Sequence, residues 1–421
     1  IRLSCSHTLL IQLNKKHILV IAQYFHPEQF RINDICTEWI KRGYKVTVVT
    51  GIPNYPQGRF YKGYGWFKNR YEIWNGIEII RIPLISRGHS SIKLALNYFS
   101  FVVSGWFWSH FTKINPSLIF IYEVSPITQA LVGVWLAERR KIPCHIYVTD
   151  LWPDNFEIIT GIRNRLIIGP IEKLTKRIYK GCDKIFTSSE SFIGSISKLG
   201  VPKNKLIFWP QYAEDFYKPV NSDKIPTTDK IFPINDKFKI LFAGNIGEAQ
   251  GLGVLIDAAK ILREKGKDNI QFCIVGDGRY KNTLIKQIND CHLNEFFILH
   301  SKVPATVIPN LFAQTEASLI CLSKNEVFAM TIPAKTQSCL ACGKPIIVCA
   351  DGEIRDIIQK ARCGVTAAAS DANGLAEMII CLANKSKEEL DQLSANARNY
   401  YCEHFDKNML LNKMDQHIAN G

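Results

Sequence analysis

The stretch EVFAMTIPAKTQSCLACGKPIIV, residues 326–348, decides the fold expected for this chain. Pro333 lacks a backbone N–H and has a fixed φ, so it suits the first turn of a helix. Gly343 and Pro345 are residues that typically end helices. The apolar run 346–348 that follows them predicts a buried strand. The stretch therefore predicts a loop, a helix and a core strand, in that order.

The start of this predicted helix brings a carboxylate and an ammonium close together in sequence. Thr331 lies where a capping side chain is expected, Glu326 precedes it, and Lys335 falls in the first turn. Helix N-termini attract anions, and phosphate most readily, because their first N–H groups are free. The stretch predicts either a phosphate-binding helix or an ordinary capped surface helix that leads into a core strand.

The same stretch resembles the donor-binding segment of retaining glycosyltransferases with the GT-B fold, family 4. In that family a Glu, seven intervening residues and a second Glu precede a Gly-x-Pro turn like Gly343-Lys-Pro345. Glu326 matches the first Glu, whereas Ala334 stands at the position of the second and is followed by Lys335. The variant Thr-Ile-Pro-Ala-Lys, residues 331–335, resembles a bacterial subgroup that acts in O-antigen and capsule assembly and includes L-fucosamine transferases.

Length and charge narrow the class of protein. A chain of 421 residues is too long for one ordinary core and predicts two or three domains. Its formal charge of +14 favours an anionic partner, namely nucleic acid, an anionic membrane or a phosphorylated substrate. No basic run with interleaved aromatic residues stands out, so nucleic acid is the least supported of the three.

The 13 cysteines are scattered and indicate a reducing cytoplasm. Cys339 and Cys342 have CxxC spacing, but no second pair or nearby His completes a zinc set. Both fall inside the predicted helix, so we expect buried free thiols and weigh a metal or redox role as the weaker alternative. Residues 1–16 do not form a convincing signal peptide and are predicted to be an N-terminal extension.

The first half of the chain opens with a βαβ pattern. Residues 17–24 are a nearly continuous apolar run, which is typical of a parallel strand covered on both faces. A helix over 33–42 and a strand over 45–50 follow, so ligands are expected at the loop after the first strand. The resembled family carries a Gly-Gly pair in that loop, near the donor phosphates. This chain has Arg31 and Ile32 there, which makes Arg31 a candidate donor-phosphate residue.

Two further features of this half are candidates for acceptor binding and catalysis. The loop 51–64 is aromatic, basic and too long for a plain connector, so it is either an acceptor-binding loop or a surface loop without a role. Asp150 follows a strand predicted over 144–148. Ionisable groups at such strand ends are placed for chemistry in open α/β sheets, although an Asp there also commonly caps the next turn.

Residues 91–111 form the most hydrophobic long stretch of the chain. The stretch approaches the ~20 apolar residues of a membrane-spanning helix, but polar residues interrupt it. It predicts either an interfacial helix on an anionic membrane or a buried helix of the domain. The residues assigned to acceptor or membrane contact are the cations at one end and two indoles at the other, Arg87, His89, Lys93, Trp106 and Trp108.

The second half of the chain carries a glycine-bearing loop between a strand and a helix. A strand over 238–243 leads into Gly244-Asn-Ile-Gly247 and Gly251, and a helix over 254–265 follows. Backbone N–H groups in such a loop can approach a diphosphate closely. The spacing is not GxGxxG, so it does not indicate NAD. The resembled family usually has an Arg and a Lys in this loop, where this chain has Asn245 and Gln250.

The predicted fold class is α/β of the GT-B type, with two doubly wound Rossmann-like domains facing each other across a cleft. An acceptor-binding domain over 17–216 and a linker over 217–237 come first. A nucleotide-sugar-binding domain over 238–399 follows, and a C-terminal helix from about 400 to 421 is expected to pack back on the first domain.

The resemblance implies retaining transfer of a sugar, such as an N-acetylated amino sugar of the L-FucNAc kind, from a UDP-sugar to a polyprenyl-diphosphate-linked glycan. No metal or other cofactor is expected, which is consistent with a GT-B enzyme. The stretch 91–111 and its nearby cations predict peripheral contact with an anionic membrane at the inner face of the cytoplasmic membrane, and no nucleic acid is expected as a partner. The candidate catalytic residues are Glu326, from the resemblance, and Asp150, from its position at the end of a strand. The donor-binding set is Gly244, Asn245, Gly247, Thr331, Lys335, Arg31 and Gly278.

Two other classes of protein stay open at the level of sequence. A sugar-nucleotide epimerase of the same fold would bind the same donor but need no acceptor. A non-catalytic binding partner in a glycan-assembly complex is suggested by Ala334, Asn245 and Gln250, which replace the family's second Glu and its Arg and Lys.

Overall fold

The computed structural model describes residues 16–88, 90–162 and 164–419. The chain divides into two compact units. The first unit contains the chain up to Trp209 and the part from Lys413 onward, and the second is Pro210–Asn412. The chain thus returns to the first unit within its last helix, and the predicted linker 217–237 lies inside the second unit.

An eight-stranded sheet with the order β3-β4-β2-β1-β5-β6-β7-β8 forms the centre of the first unit. All its neighbouring strands are parallel except the antiparallel hairpin β3–β4. Apolar side chains fill β1, β5 and β6, which are covered on both faces. The strands are β1 His17–Ile21, β2 Lys45–Gly51, β3 Tyr71–Trp74, β4 Ile77–Ile82, β5 Leu118–Glu123, β6 Cys144–Val148, β7 Lys184–Thr187 and β8 Leu206–Phe208.

The helices of the first unit cross over between these strands. They are α1 Arg31–Lys41, α2 Ser91–Phe111, α3 Ala130–Arg140, α4 Asp154–Thr160, α5 Arg165–Lys180 and α6 Glu190–Lys198, and the end of the last helix, Lys407–Ala419, joins them. That end is held by two lysines. Lys16 donates to the carbonyl oxygens of Ile418 and Ala419, and Lys184 donates to that of His417. Cations at a helix C-terminus are stabilising, because the last carbonyl groups of the helix carry partial negative charge.

The second unit contains a six-stranded parallel sheet with the order β11-β10-β9-β12-β13-β14. Its strands are β9 Phe238–Asn245, β10 Ile270–Asp277, β11 Phe297–His300, β12 Ala317–Cys321, β13 Ile346–Cys349 and β14 Gly364–Ala367. Its helices are α7 Val254–Glu264, α8 Lys281–Asp290, α9 Ile308–Phe312, α10 Glu326–Ala329, α11 Lys335–Ala341, α12 Glu353–Ala361, α13 Ala372–Ala383 and α14 Lys387–His404. The last helix of the chain, Lys407–Ala419, is α15.

The decisive stretch folds as a helix and a core strand, but its helix begins later than predicted. Helix α11 starts at Lys335 after Ala334, and no side chain caps it. The prediction that Thr331 caps this helix is wrong, because its hydroxyl donates to the carbonyl oxygen of Val327 in the preceding short helix α10. The predicted stop is confirmed: Gly343 adopts φ +62°, a conformation that glycine accepts without strain.

Within the described residues, no helix combines the length and the apolar character needed to cross a membrane. The described cysteines, including Cys339 and Cys342, are free, and both of these are buried. In the described part of the chain, no group of three or more His, Cys, Asp or Glu side chains could hold a metal ion.

Candidate functional site

The carboxyl edge of the second sheet is built on close backbone packing between β9 and β10. The two strands stay paired to their ends, with Gly244 opposite Gly276 and Asn245 opposite Asp277. A Cβ atom on Gly276 would overlap the carbonyl oxygen of Gly244, and one on Gly278 would overlap that of Ile246. Gly278 is therefore required by strand packing, which explains this glycine without any ligand.

The loop after β9 is ordered by Gln250. Its side-chain oxygen accepts the backbone N–H of Gly247 at 3.1 Å and lies 3.5 Å from the amide nitrogen of Asn245. Ser323, just after β12, donates its backbone N–H to the carbonyl oxygen of Ala249 at 2.9 Å. The loops that follow β9 and β12 are thus joined. The N–H of Gly247, expected at the donor diphosphate, is already occupied by Gln250 in this structure.

Glu326 is the first residue of the short helix α10, where the sequence predicted a loop. The side chain of Asn325 caps this helix by accepting the N–H of Val327 at 2.9 Å. The helix ends against Gly352, where a Cβ atom would overlap the carbonyl oxygen of Ala329. These contacts fix the position of Glu326, and its side chain is exposed at the carboxyl edge of the sheet.

Lys335 places a buried ammonium directly beneath the glycine loop. Its Nζ atom lies 3.9 Å from the centre of the Phe242 ring, and a Cβ atom on Gly244 would be 3.4 Å from it. Part of the residue reaches the surface, but Nζ itself is enclosed and has no hydrogen-bond partner among the described residues. Burial lowers the pKa of Lys335 to about 8, although the thiols of Cys339 and Cys321 act in the opposite direction.

Asp150 lies beyond β6 and holds the loop that follows the neighbouring strand β5. Its carboxylate accepts the backbone N–H of Ser125 at 2.7 Å. It also influences the phenol of Tyr98, whose pKa is raised mainly by burial and further by Asp150. Asp150 therefore has a positioning contact and also acts electrostatically on Tyr98.

Glu123, which the sequence analysis missed, is the last residue of β5 and is fully buried. Neither of its carboxylate oxygens has a hydrogen-bond partner within the described residues. Burial and the nearby Asp150 raise its pKa well above the usual range. The signal was a single acidic residue closing an otherwise apolar strand, which is costly to bury as a charge.

The remaining first-unit candidates have different surroundings. Arg31 opens α1, and its guanidinium acts on the phenol of Tyr147, whose pKa burial raises. Arg87 is half-buried and donates to the hydroxyl of Tyr24 at 3.2 Å. Lys93 is exposed in the first turn of α2, and His89 lies outside the described residues.

Helix α2 has the predicted bounds, Ser91–Phe111, and two contrasting faces. Its buried face includes Gly105, where a Cβ atom would overlap the side chain of Val132 in α3, so the two helices approach closely. Its opposite face is an exposed apolar stripe. Trp106 belongs to this stripe, whereas Trp108 is half-buried. The apolar stripe consists of Ile92, Leu96, Phe99, Val103, Trp106, Phe107 and Phe111.

Comparison with known proteins shows a similarity between the second unit and a protein family. The model of the family described as Glycosyl transferases group 1 matches residues 224–400. The matched segment, which lies within the second unit, is similar to that family. Over 350 residues, the chain is 27% identical to the Escherichia coli K12 protein WcaI, whose name assigns it to glycosyl transfer in colanic acid biosynthesis. That similarity covers 79% of this chain and 83% of WcaI.

Solved structures confirm the predicted GT-B fold. Sucrose-phosphate synthase from Thermosynechococcus elongatus aligns with a TM-score of 0.75 at 15% identity, covering 96% of this chain and 99% of that one. Anabaena Alr3699/HepE, solved in complex with UDP-glucose, aligns with a TM-score of 0.69 at 14% identity, covering 96% and 98%. At these identities the likeness shows the fold alone.

Proposed function

We propose that this protein transfers a sugar from a UDP-sugar, with retention, to a lipid-linked glycan during assembly of a bacterial surface polysaccharide. The match to the group 1 glycosyl transferase family and the similarity to WcaI support glycosyl transfer in polysaccharide biosynthesis. The complex of Alr3699/HepE with UDP-glucose supports a nucleotide-sugar donor. Retention, an amino sugar of the L-FucNAc kind and a polyprenyl-linked acceptor follow from the family resemblance of the stretch 326–348.

The observation that carries the donor assignment is the enclosed ammonium of Lys335. An ammonium taken out of water without a hydrogen-bonding partner is destabilising, and contact with the face of Phe242 offsets only part of that cost. Gly244 is exposed and has no side chain, and a Cβ atom on it would lie only 3.4 Å from Nζ. A diphosphate lying against Gly244 would supply the missing counter-charge.

Lys335 would also replace the two cations that the resembled family has in the glycine loop and that this chain lacks there. Asn245 and Gln250 are neutral, and Gln250 uses its oxygen to order the loop. During transfer the leaving diphosphate gains negative charge, so a fixed cation beside it stabilises the transition state. We assign this role to Lys335. Glu326, exposed and held by the Asn325 cap, is assigned to the donor sugar.

The apolar stripe supports docking of the first unit on an anionic membrane. It runs from Ile92 to Phe111, which at 1.5 Å per residue is about 28 Å of helix. Soluble proteins rarely expose a continuous apolar surface of this kind without a partner. No acidic residue lies in α2, and exposed Lys93 and Lys113 stand at its two ends. Apolar burial and charge attraction are the two contributions that interfacial helices combine.

A binding and turnover experiment tests the proposed function. Thermal-shift measurements with UDP-, GDP- and dTDP-sugars would identify the donor, and UDP-sugars are expected to stabilise the protein most. The stabilising sugar nucleotide is then incubated with the protein alone. A transferase releases UDP only slowly, by hydrolysis, whereas an epimerase changes the sugar. UDP binding without hydrolysis, and without transfer to lipid-linked glycans, would instead indicate a non-catalytic partner.

A further inference from the structure

Three aromatic residues form a cluster at the carboxyl edge of the first sheet. The rings of Tyr24 and Phe30 are stacked, with centres 5.3 Å apart and planes 12° apart. Tyr55 leans against both, with its ring centre 5.4 Å from each. Tyr24 is buried, whereas Tyr55 remains 37% exposed. The cluster therefore presents a ring at the surface on a firmly packed base.

Arg87 lies against this aromatic cluster. Its guanidinium carbon is 5.1 Å from the centre of the Tyr55 ring, and its Nη1 donates to the Tyr24 hydroxyl. Both partners are neutral, and within the described residues no carboxylate forms an ion pair with Arg87. A half-buried guanidinium keeps its charge at all ordinary pH values, so it favours an anion from outside the chain.

A buried polar network fixes Arg87 and Tyr55 in place. The side-chain oxygen of Asn54 accepts the backbone N–H of Arg87 at 2.9 Å. Glu28 in turn accepts the backbone N–H groups of Asn54 and Tyr55 at 2.7 and 2.6 Å. Glu28 and Asn54 are almost fully buried, with 2% and 1% of their surfaces exposed. The cation and the exposed ring are thus preorganised, which lowers the ordering cost of binding a ligand.

The same group of residues connects to Asp150. The pKa of the Tyr98 phenol is affected by four other residues, Arg87, Tyr24, Asp150 and Tyr55. Arg87 and Asp150 thus both act electrostatically on Tyr98.

We propose that Arg87 and the aromatic cluster bind an oxyanion attached to a sugar ring of the acceptor, with the ring stacked on Tyr55. This proposal rests on the proposed function, because it names the chemistry of the acceptor. Arginine pairs two donors with the oxygens of a phosphate or a carboxylate, and an aromatic face suits the apolar face of a sugar. The oxyanion is either the phosphate that joins the glycan to its carrier or the carboxylate of an acidic sugar.

Ligand-observed NMR titrations of the UDP-saturated protein test this site. The probes are N-acetylglucosamine 1-phosphate, glucuronic acid and the neutral methyl α-glucoside. UDP occupies the second-unit anion site, so the probes report on the first unit. Arg87→Gln should weaken binding of an anionic probe at least tenfold, since a charge-assisted pair is lost. Arg87→Lys should give a smaller loss, and the neutral probe should respond weakly to either change.

Arg59→Gln is the matched control, because Arg59 is exposed in the same loop region and the change removes the same charge. Loss confined to the phosphate probe identifies the carrier phosphate, and loss confined to glucuronate identifies an acidic sugar. Equal binding to wild type and Arg87→Gln, or equal loss in Arg59→Gln, would overturn the proposal. UDP affinity reports folding separately. If Arg87→Gln lowers UDP affinity, the fold is perturbed. Binding of the anionic probes is then compared between wild type and Tyr55→Leu, which removes only the exposed ring.

If the wild-type protein binds no UDP, the donor assignment fails by itself. The titrations are then made in the Lys335→Ala variant. In that case binding of the anionic probes alone decides whether the Arg87 site exists.

Discussion

The carboxyl edges of the two sheets present opposite kinds of surface to the anions that we propose they bind. In the second unit, glycines bring the backbone to the surface, and the ammonium of Lys335 is enclosed beneath them. In the first unit, large aromatic rings and an arginine form the surface, and a buried polar network holds them. The comparison teaches that one edge suits a phosphate lying on backbone, whereas the other suits side-chain contact with a glycan.

The largest expected effect concerns Glu326 and separates catalysis from donor binding. Glu326→Gln should lower turnover by about 10² or more, because a group that contacts the transition state loses its charge. UDP affinity should stay close to that of wild type, since the diphosphate lies elsewhere. Steady-state kinetics and UDP calorimetry measure the two quantities. Turnover near that of wild type would remove Glu326 from the catalytic site.

The next largest effect is expected from the apolar stripe. It tests whether the first unit docks on an anionic membrane. Replacing Phe99, Phe107 and Phe111 with Ser should reduce binding to anionic vesicles by about two powers of ten, at roughly 1 kcal/mol for each half-buried ring. Co-sedimentation at low salt measures this. Ile73→Ser and Ile234→Ser, made at exposed apolar positions outside the stripe, serve as controls. Equal losses in both sets would show that the stripe has no special role.

Lys335 tests the assignment of the diphosphate to the second edge. Lys335→Ala should weaken UDP binding by about one to two powers of ten, as a charged hydrogen bond contributes roughly 1.5–3 kcal/mol. Uridine, which lacks the diphosphate, should bind almost unchanged. Calorimetry with both ligands makes the comparison. If both lose affinity equally, Lys335 supports the ribose site or the fold, and if neither changes, it has no part in donor binding.

The pKa of Lys335 predicts a smaller, pH-dependent effect. The ammonium loses its proton as pH rises through about 8, so UDP affinity should be constant below that pH and fall by up to about tenfold per pH unit above it. Unfolding behaves in the opposite sense. The unfolded chain still binds this proton up to its ordinary pKa of 10.5, so loss of the buried charge stabilises the fold between pH 8 and 10.5. Both trends should vanish in Lys335→Met.

Much of the fold could be predicted because its strands are short apolar runs with turns at their ends. Strand β6 has the predicted bounds, and β1, β9 and β13 differ from them by a few residues at one end. The hairpin β3–β4 was missed, although Asn75 and Gly76 adopt φ values of +49° and +81°, as a two-residue hairpin turn requires. Strand β3 alternates between exposed and half-buried residues, so it lacks the continuous apolar run that marked the others.

The sequence by itself determined which residues are unusual: a lysine beside Ala334, neutral residues in the glycine loop, and an apolar stretch with cations near it. Only the tertiary structure decided what each of them faces. Lys335 could have pointed into water from a helix end, but packing encloses its ammonium under Gly244. The sequence grouped Arg87 with the cations near a predicted membrane helix. In the structure, Asn54 and Tyr24 hold it against an aromatic cluster. Burial and direction depend on contacts between distant segments, and these are absent from any local pattern.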